Sequence, residues 1–327
     1  MREPNLTGQA VDIQSHWLPD SYFRAIREEA ADNPIWAAPF RGLLSAGPDA
    51  PLRRLEERLP AMDQAGIAVA LLCVTPCTFR HQARAIKAAS ASNDDLIATA
   101  AHRSSSFRVL ASLPLPFEDQ AVSELERVGK DPMVVGVIVP STAPPYRLDH
   151  PRFRPVFAAA ANLGLPVVIH PALEPLDDGF ADWGLDFSFA PPLLTSLAAI
   201  RLVFSGLLDE LPELDLVVPH LGGVLPYLTQ RLVDQSGRGG AAHDIQHYLR
   251  SRLYYDNCSY HKPALACAIA TFGAGRLMIG SDYPFRGGIG RCVEDIESSE
   301  LDDHDRRAIL FGTAERVLTK RTPPPTS

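Results

Sequence analysis

The chain has 327 residues, of which 46% are hydrophobic, and it carries a formal net charge of −8. A chain of this length and composition can bury a large core as one barrel-sized domain. The negative charge is scattered rather than gathered in runs, which argues against nucleic acid or an acidic membrane surface as a partner.

Neither the apolar stretches nor the cysteines indicate a membrane-embedded or secreted protein. No apolar stretch approaches the roughly 20 residues of a membrane span, and the first ten residues lack the hydrophobic region of a signal peptide. The five cysteines are an odd number without CxxC spacing, so neither a disulfide framework nor a thiolate zinc site is indicated. We therefore expect a cytoplasmic location and reduced cysteines.

Apolar runs and helical patterns alternate along the chain. Strands are predicted at residues 11–14, 67–74, 107–113, 134–139, 166–170, 214–219, 253–256 and 277–279. Helices are predicted at residues 52–65, 82–102, 118–129, 151–163, 192–208, 227–233 and 263–272. Eight near-continuous apolar strands that alternate with helices predict an α/β fold, a (β/α)8 TIM barrel over residues 1–320. An open doubly wound sheet is the alternative.

Three segments fall outside this alternation. Long loops are predicted at residues 15–48 and 174–189, and a loop as long as the second favours a lid or a substrate wall. The tail at residues 321–327, RTPPPTS, has few apolar residues and is expected to be disordered.

Polar residues end four of the predicted strands. His16, His170 and His220 follow strands one, five and six, and Asp282 follows strand eight. Taken singly, such residues are more often caps, turn residues or buried hydrogen-bonded histidines. Because the carboxyl ends of the strands meet at one face of a barrel, we expect these side chains to converge. Imidazole and carboxylate together favour a divalent-metal site.

The segments around these residues resemble the amidohydrolase superfamily, and within it the aminocarboxymuconate-semialdehyde decarboxylase-like branch. The segments are VDIQSHWLP at 11–19, MDQAGIAVALL at 62–72, VVIHP at 167–171, SGLLDELPELDLVVPHLGGVLPYLTQR at 205–231 and IGSDYPF at 279–285. The resemblance implies a barrel of the metal-dependent hydrolase type with one divalent ion, Zn²⁺ or Mn²⁺. It also implies a homodimer that decarboxylates a planar unsaturated or aromatic carboxylic acid without oxidation.

The resemblance also implies roles for particular residues. His16, His170 and Asp282 match metal ligands, and His220 matches a catalytic histidine beside the metal. Arg231 matches an arginine that reaches into the neighbouring subunit's site in the family's dimers.

Gln14 departs from the pattern of the branch, whose members carry histidine or glutamate at this position of the first strand. A glutamine offers only a neutral carbonyl oxygen, so we expect Gln14 to be a weak or absent ligand.

Elementary chemistry suggests how the other residues take part. His220 suits proton transfer because the reference pKa of histidine lies near 6.5, and Asp282 can act as both ligand and orienting carboxylate. Arg286, like Arg231, offers a guanidinium fork for a substrate carboxylate, although a solvated loop charge is the alternative. Trp17 and Trp183 lie in loops beyond strands one and five and can flank a planar acid or simply pack.

Two other function classes stay open. A metal-dependent hydrolase or hydratase would use the same ligands with bound water as the nucleophile. The predicted fourth strand, MVVGVIVP, contains no lysine, which disfavours the two-metal hydrolases of the superfamily. A non-catalytic homologous subunit is suggested by Gln14, but it leaves the four polar strand ends unexplained.

Overall fold

The computed structural model describes residues 8–33, 41–172, 178–180 and 182–319. Eight parallel strands form one sheet in which each strand pairs with the next in chain order. They are β1 (Ala10–His16), β2 (Ile67–Cys73), β3 (Phe107–Ser112), β4 (Val134–Pro140), β5 (Val167–His170), β6 (Leu216–Val218), β7 (Leu253–Asp256) and β8 (Leu277–Met278). A two-stranded antiparallel hairpin, Thr142–Ala143 with Tyr146–Arg147, follows β4.

The first and last strands meet and close the barrel. The backbone N–H of Asp282 donates to the carbonyl of Gln14 at 2.9 Å. Ser15 of β1 forms an isolated parallel bridge with Tyr283, in the segment after β8. The predicted (β/α)8 barrel is therefore confirmed, and its closure places Gln14 beside Asp282 although 268 positions separate them in the chain.

Alternate residues of the strands fill the inside of the barrel. Val11, Val69, Val168 and Val217 belong to one buried apolar cluster, whereas a second, larger cluster lies between the strands and the helices. Because both faces of each strand are buried, the strands read as continuous apolar runs. These apolar runs made it possible to predict the positions of the strands from the sequence.

Helices pack outside the strands. They are α1 (Asp20–Asp32), α2 (Arg41–Leu44), α3 (Arg58–Ala65), α4 (Gln82–His102), α5 (Glu118–Val128), α6 (Arg154–Asn162), α7 (Leu185–Ser188), α8 (Ala190–Phe204), α9 (Leu207–Glu210), α10 (Leu225–Val233), α11 (Ile245–Ser251), α12 (Lys262–Phe272), α13 (Arg291–Glu297), α14 (Asp303–Arg307) and α15 (Thr313–Leu318). A π-helical turn, Ala308–Gly312, joins the last two. Within the described ranges, no helix has both the length and the apolar character needed to cross a membrane.

The predicted loop at residues 15–48 was wrong for much of its length, because α1 and α2 lie within it. Tyr22, Phe23 and Ile26 are buried on one side of α1. Their spacing of one, three and four residues is that of a helix face and was the missed signal. Residues 34–40 of the same segment lie outside the described residues.

The helix predicted at residues 52–65 begins only at Arg58. The carbonyl of Leu52 accepts a hydrogen bond from the backbone N–H of Leu18 at 2.9 Å, so this part of the chain pairs with the segment after β1. Arg58, the first residue of the helix, is only 1% exposed although its side chain is charged.

Later boundaries also differ. The helix predicted at residues 192–208 divides into α8 and α9, because Gly206 between them has a left-handed φ of 79°. The loop predicted at residues 174–189 contains α7, and α11 and the helices from α13 onward had no predicted counterpart. Two parts of the predicted loop, residues 173–177 and residue 181, lie outside the described residues. The tail at residues 321–327 also lies outside them, so the expected disorder of the tail stays a prediction.

Candidate active site

The carboxyl ends of β1, β5, β6 and β8 converge on one group of buried polar side chains. Gln14 and His16 lie on β1, two residues apart and therefore on the same face of the strand. His170 ends β5, and His220 and Asp282 follow β6 and β8. Each of the five residues is at most 5% exposed.

Three of these side chains place potential metal ligands close together. Nε2 of His16 lies 3.1 Å from Nε2 of His170 and 3.1 Å from Oδ1 of Asp282. The ligand atoms of the three residues all lie within 4.8 Å of one another. Two imidazoles and a carboxylate suit ions such as Zn²⁺ or Mn²⁺, and three protein ligands leave a coordination position open.

The side-chain amide of Gln14 lies against the same group. Its Nε2 donates to Oδ1 of Asp282 at 3.0 Å and lies 3.4 Å from Nε2 of His16. Its Oε1 is buried without a hydrogen-bond partner among the described residues. Rotating the side-chain amide by half a turn would exchange Oε1 and Nε2 of Gln14, and Oε1 would then face the ligand atoms of His16 and Asp282. Oε1 of Gln14, which has no partner among the described residues, and the ligand atoms of His16, His170 and Asp282 together fit a divalent cation.

The local charges also favour metal binding. Burial alone would raise the pKa of Asp282, but the imidazoles of His16 and His220 hold that pKa below its usual range, so the carboxylate stays ionised. Burial and the neighbouring His16 lower the pKa of His170 well below its usual value, which leaves its ring neutral.

His16 carries the proton that such an ion would replace. Burial lowers the pKa of His16, but Cys73 and Asp282 raise it, overall to about 10. Metal ligands bind in their deprotonated forms, so a divalent ion bound by His16 and Asp282 would displace this proton from His16.

His220 lies in a constrained turn after β6. Its φ of 58° is left-handed and unusual for a residue with a side chain. Its backbone N–H donates to Oδ1 of Asp256 at 2.8 Å. Gly223 completes the turn, where a Cβ atom would lie 2.2 Å from the carbonyl oxygen of Pro192. The turn places Nε2 of His220 3.8 Å from Oδ2 of Asp282.

A pocket opens at these side chains. Its lining residues are Thr75, His170, Pro171, Phe187, Pro191, His220, Asp282, Phe285 and Arg286. The ring of Phe285 contacts His16 edge-on with 5.3 Å between centroids, and Phe187 contacts Phe285 at 5.8 Å. Apolar walls with a few convergent polar groups are typical of small-molecule sites.

Arg286 brings a positive charge to this pocket. Its Nε lies 3.9 Å from Oδ2 of Asp282, and its Nη2 donates to the carbonyl of Phe187 at 3.1 Å. The guanidinium therefore lies between the acidic side chain and the aromatic wall.

Three other residues predicted to bind substrate do not line the pocket of this chain. The indole of Trp17 donates to the carbonyl of Arg53 at 3.2 Å. Trp183 is 91% exposed, and Arg231 is exposed on α10.

Three further residues, which were not predicted from the sequence, support the site. Asp256 anchors the His220 turn, and its position at the end of an apolar strand was an available signal. Sγ of Cys73 lies 3.4 Å from Nδ1 of His16, and the guanidinium of Arg58 donates to the His16 carbonyl at 2.7 Å. Neither of these two carried a recognisable pattern, since both act through contacts between distant segments.

A (β/α)8 barrel with histidine and aspartate donors at the ends of its first, fifth and eighth strands defines a class of metal-dependent barrel enzymes. The model of the amidohydrolase family matches residues 11–320, and the chain belongs to this family.

Several relatives of this chain are decarboxylases. A gamma-resorcylate decarboxylase from Polaromonas sp. is 28% identical over 285 residues, which cover 80% of this chain and 86% of the relative. A 2-amino-3-carboxymuconate-6-semialdehyde decarboxylase from Dictyostelium discoideum is 24% identical over 272 residues, covering 80% and 75%. The branch recognised in the sequence is thereby confirmed.

The fold is shared with solved decarboxylase structures. A dihydroxybenzoic acid decarboxylase from Polaromonas sp., with bound manganese and the inhibitor 2-nitroresorcinol, is 24% identical to this chain. The two structures match with a TM-score of 0.81 over 95% of this chain and 96% of the other.

Proposed function

We propose that this protein is a metal-dependent decarboxylase that removes CO₂, without oxidation, from a planar aromatic or unsaturated carboxylic acid. The observation that carries the proposal is the buried donor group of His16, His170 and Asp282, which opens beside His220 onto a pocket with aromatic walls. Similarity to decarboxylases over most of the chain supports the same reaction.

His16, His170 and Asp282 hold the ion in this proposal. Gln14 is a weak or absent further ligand through its Oε1, which has no hydrogen-bond partner within the described part of the chain. When bound, a divalent cation polarises substrate oxygens and stabilises negative charge on them. A neutral amide contributes less charge than glutamate and is a poorer soft-metal donor than imidazole. We therefore expect weaker metal retention than in relatives with histidine or glutamate at this position.

His220 is the acid in this proposal. Its Nε2, which faces Oδ2 of Asp282 at 3.8 Å, delivers a proton to the carbon that bears the substrate carboxylate. The bond between that carbon and the carboxylate then breaks, its electron pair returns to the unsaturated system, and CO₂ leaves. Hydrogen has replaced the carboxylate, and His220 regains its proton from water.

Arg286 and the aromatic walls orient the substrate. The guanidinium of Arg286 pairs with a substrate carboxylate or phenolate, while Phe187 and Phe285 contact the planar part. The flanking roles of Trp17 and Trp183 stay predictions, because neither side chain lines the pocket.

The test is metal-dependent CO₂ release. The purified protein would be stripped with a chelator, reloaded with Mn²⁺ or Zn²⁺, and supplied with a panel of hydroxybenzoic and unsaturated dicarboxylic acids. We expect about one ion per chain, CO₂ release from at least one acid, and loss of release in the stripped sample. Mass spectrometry of the product should show hydrogen in place of the carboxylate.

Other outcomes would select the other function classes. If no acid released CO₂ but the protein hydrolysed esters or amides, a hydrolase with the same metal ligands would be favoured. Hydration of unsaturated acids would favour a hydratase. Failure to take up any divalent ion supplied in excess would contradict the metal-dependent proposal and favour a non-catalytic subunit.

A homodimer is a further part of the proposal, together with the cytoplasmic location expected from the sequence. Large apolar side chains are exposed on α7, α8, α10 and the residues flanking α7, namely Trp183, Phe187, Phe189, Leu197 and Tyr227, and Phe187 among them lines the pocket. Tyr227 is 86% exposed on α10, where it precedes the exposed Arg231 by one helical turn. Burial of this face by a second subunit would carry Arg231 towards that subunit's pocket.

Mixed dimers test whether Arg231 acts across the interface. Arg231→Ala and His220→Ala should each be inactive alone, whereas mixing their unfolded chains and refolding them should restore part of the activity through hybrid sites. Arg24→Ala, which changes an exposed arginine on α1, is the matched control and should stay active. Absence of recovery in dimers shown to be mixed would refute action in trans.

A further inference from the structure

The carboxylate of Asp282 faces two different sets of donor atoms. Oδ1 lies 3.1 Å from Nε2 of His16, on the side of the proposed metal ligands. Oδ2 lies 3.8 Å from Nε2 of His220. His220, Cys258 and Asp282 form a second group of buried side chains whose ligand atoms all lie within 4.8 Å of one another. We infer that this group is a second, inhibitory site for a thiophilic divalent ion such as Zn²⁺ or Cd²⁺.

The backbone holds two of the donors in place before any ion arrives. Oδ1 of Asp256 accepts the backbone N–H of His220 at 2.8 Å and that of Cys258 at 3.0 Å. One carboxylate oxygen therefore fixes the turn after β6 and the turn after β7 together. Nδ1 of His220 is buried without a hydrogen-bond partner among the described residues, so no hydrogen bond at that atom restrains the ring.

The spacing and chemistry of the donors determine which ions fit. With metal bonds of about 2.0–2.3 Å, tetrahedral ligands lie roughly 3.3–3.8 Å apart. Nε2 of His220 and Oδ2 of Asp282 lie 3.8 Å apart, at the upper limit of that range. One imidazole, one thiolate and one carboxylate oxygen suit Zn²⁺ and Cd²⁺, whereas Mn²⁺ prefers oxygen and imidazole ligands. Both groups of donors therefore accept Zn²⁺, but the group that contains the thiolate favours Cd²⁺ over Mn²⁺.

An ion at this second site would block the proposed reaction. It would engage the ring of His220, which could then no longer deliver a proton. It would also compete for Oδ2 of Asp282 with Arg286, whose Nε lies 3.9 Å from that oxygen. Cys258 is 2% exposed, so the ion would enter through the pocket that His220 and Asp282 line. The inhibition rests on the proposed function, but binding of the ion does not.

The test titrates Cd²⁺ and Zn²⁺ into the manganese-loaded protein. We expect Cd²⁺ to produce an ultraviolet thiolate-to-metal charge-transfer band while manganese is retained, and Zn²⁺ to inhibit CO₂ release. In Cys258→Ser the band should disappear and the inhibitory zinc concentration should rise at least about tenfold, since even the loss of an outer-shell partner costs roughly 10–100-fold in metal affinity. Cys267→Ser, which removes an exposed thiol outside the group, should leave both signals unchanged.

Control measurements keep the result decisive. Manganese content and thermal unfolding would be measured for every variant, and Cys258→Ala would replace Cys258→Ser if the serine variant failed to fold. Because the cadmium band is read without turnover, it tests the second site even if no decarboxylase substrate is found. A wild-type protein without the band, or a band and zinc inhibition that persist without Cys258, would overturn the inference.

Discussion

Replacing Asp282 with asparagine is expected to remove the bound divalent ion and the turnover together. Oδ1 of the carboxylate contacts His16 and Gln14, and Oδ2 faces His220 and Arg286. The substitution keeps the size of the side chain but removes the negative charge that draws these groups together. The effect on metal affinity should therefore exceed the roughly 10–100-fold cost of losing an outer-shell partner.

Metal content after dialysis, measured by inductively coupled plasma mass spectrometry, would check this expectation. Asp303→Asn is the matched control, because the side chain of Asp303 is 96% exposed on α14 and the variant should retain its metal. Gln14→Ala should lose less metal than Asp282→Asn, since it removes a neutral amide. An unchanged ratio of metal to protein in Asp282→Asn would show that Asp282 is not a ligand.

The convergence of the polar strand ends was predictable because the parallel barrel imposes it. Strands buried on both faces appear as apolar runs, so the first polar residue after each run marks the carboxyl end of a strand. His170 and His220 were recognised in this way, and His16 and Asp282 lie two and three residues beyond their predicted strands. In the structure, Nε2 of His16 lies 3.1 Å from Nε2 of His170 and 3.1 Å from Oδ1 of Asp282. Local sequence sufficed because the geometry of the fold supplied the long-range information.

Other features of the site depend on contacts that no local pattern encodes. Arg58 reaches the first strand from α3, and Cys73 contacts His16 from the neighbouring strand. The wall formed by Phe187 depends on α7, which lies within a predicted loop. Hydrophobic periodicity identifies which residues are buried, but it does not identify the partners of a single polar or aromatic side chain.

Gln14 shows the same limit at the metal site. The sequence indicated a departure from the branch at this position, and the structure places the amide against Asp282. Its Oε1, which accepts no hydrogen bond from any described residue, makes Gln14 a candidate ligand. Only the closure of the barrel between its first and last strands brings the two side chains together.

Replacing His220 with alanine should abolish most turnover while leaving the metal bound. His220 is outside the group of donors formed by His16, His170 and Asp282, so its removal takes no ligand from that ion. A positioned acid or base typically contributes about 10²–10⁴-fold to a rate, and we expect a loss of that size. The substrate Kd should change less, because Arg286 and the aromatic walls remain.

The design must separate loss of the acid from collapse of the turn that carries it. The backbone N–H of His220 donates to Asp256 and survives the substitution, so the turn retains its anchor. His220→Asn adds a second variant with a polar side chain of similar reach but no titratable ring. His247→Ala, which alters an exposed histidine on α11, is the control and should keep full activity.

Kinetics and metal content together determine the role of His220. A lower kcat with retained metal and little change in substrate Kd would match the removal of a proton donor. Small amines or imidazole added to His220→Ala should restore part of the rate if the missing function is proton delivery. Loss of metal in parallel with kcat would instead make His220 a ligand of the ion, and full activity without this side chain would require another proton donor in the pocket.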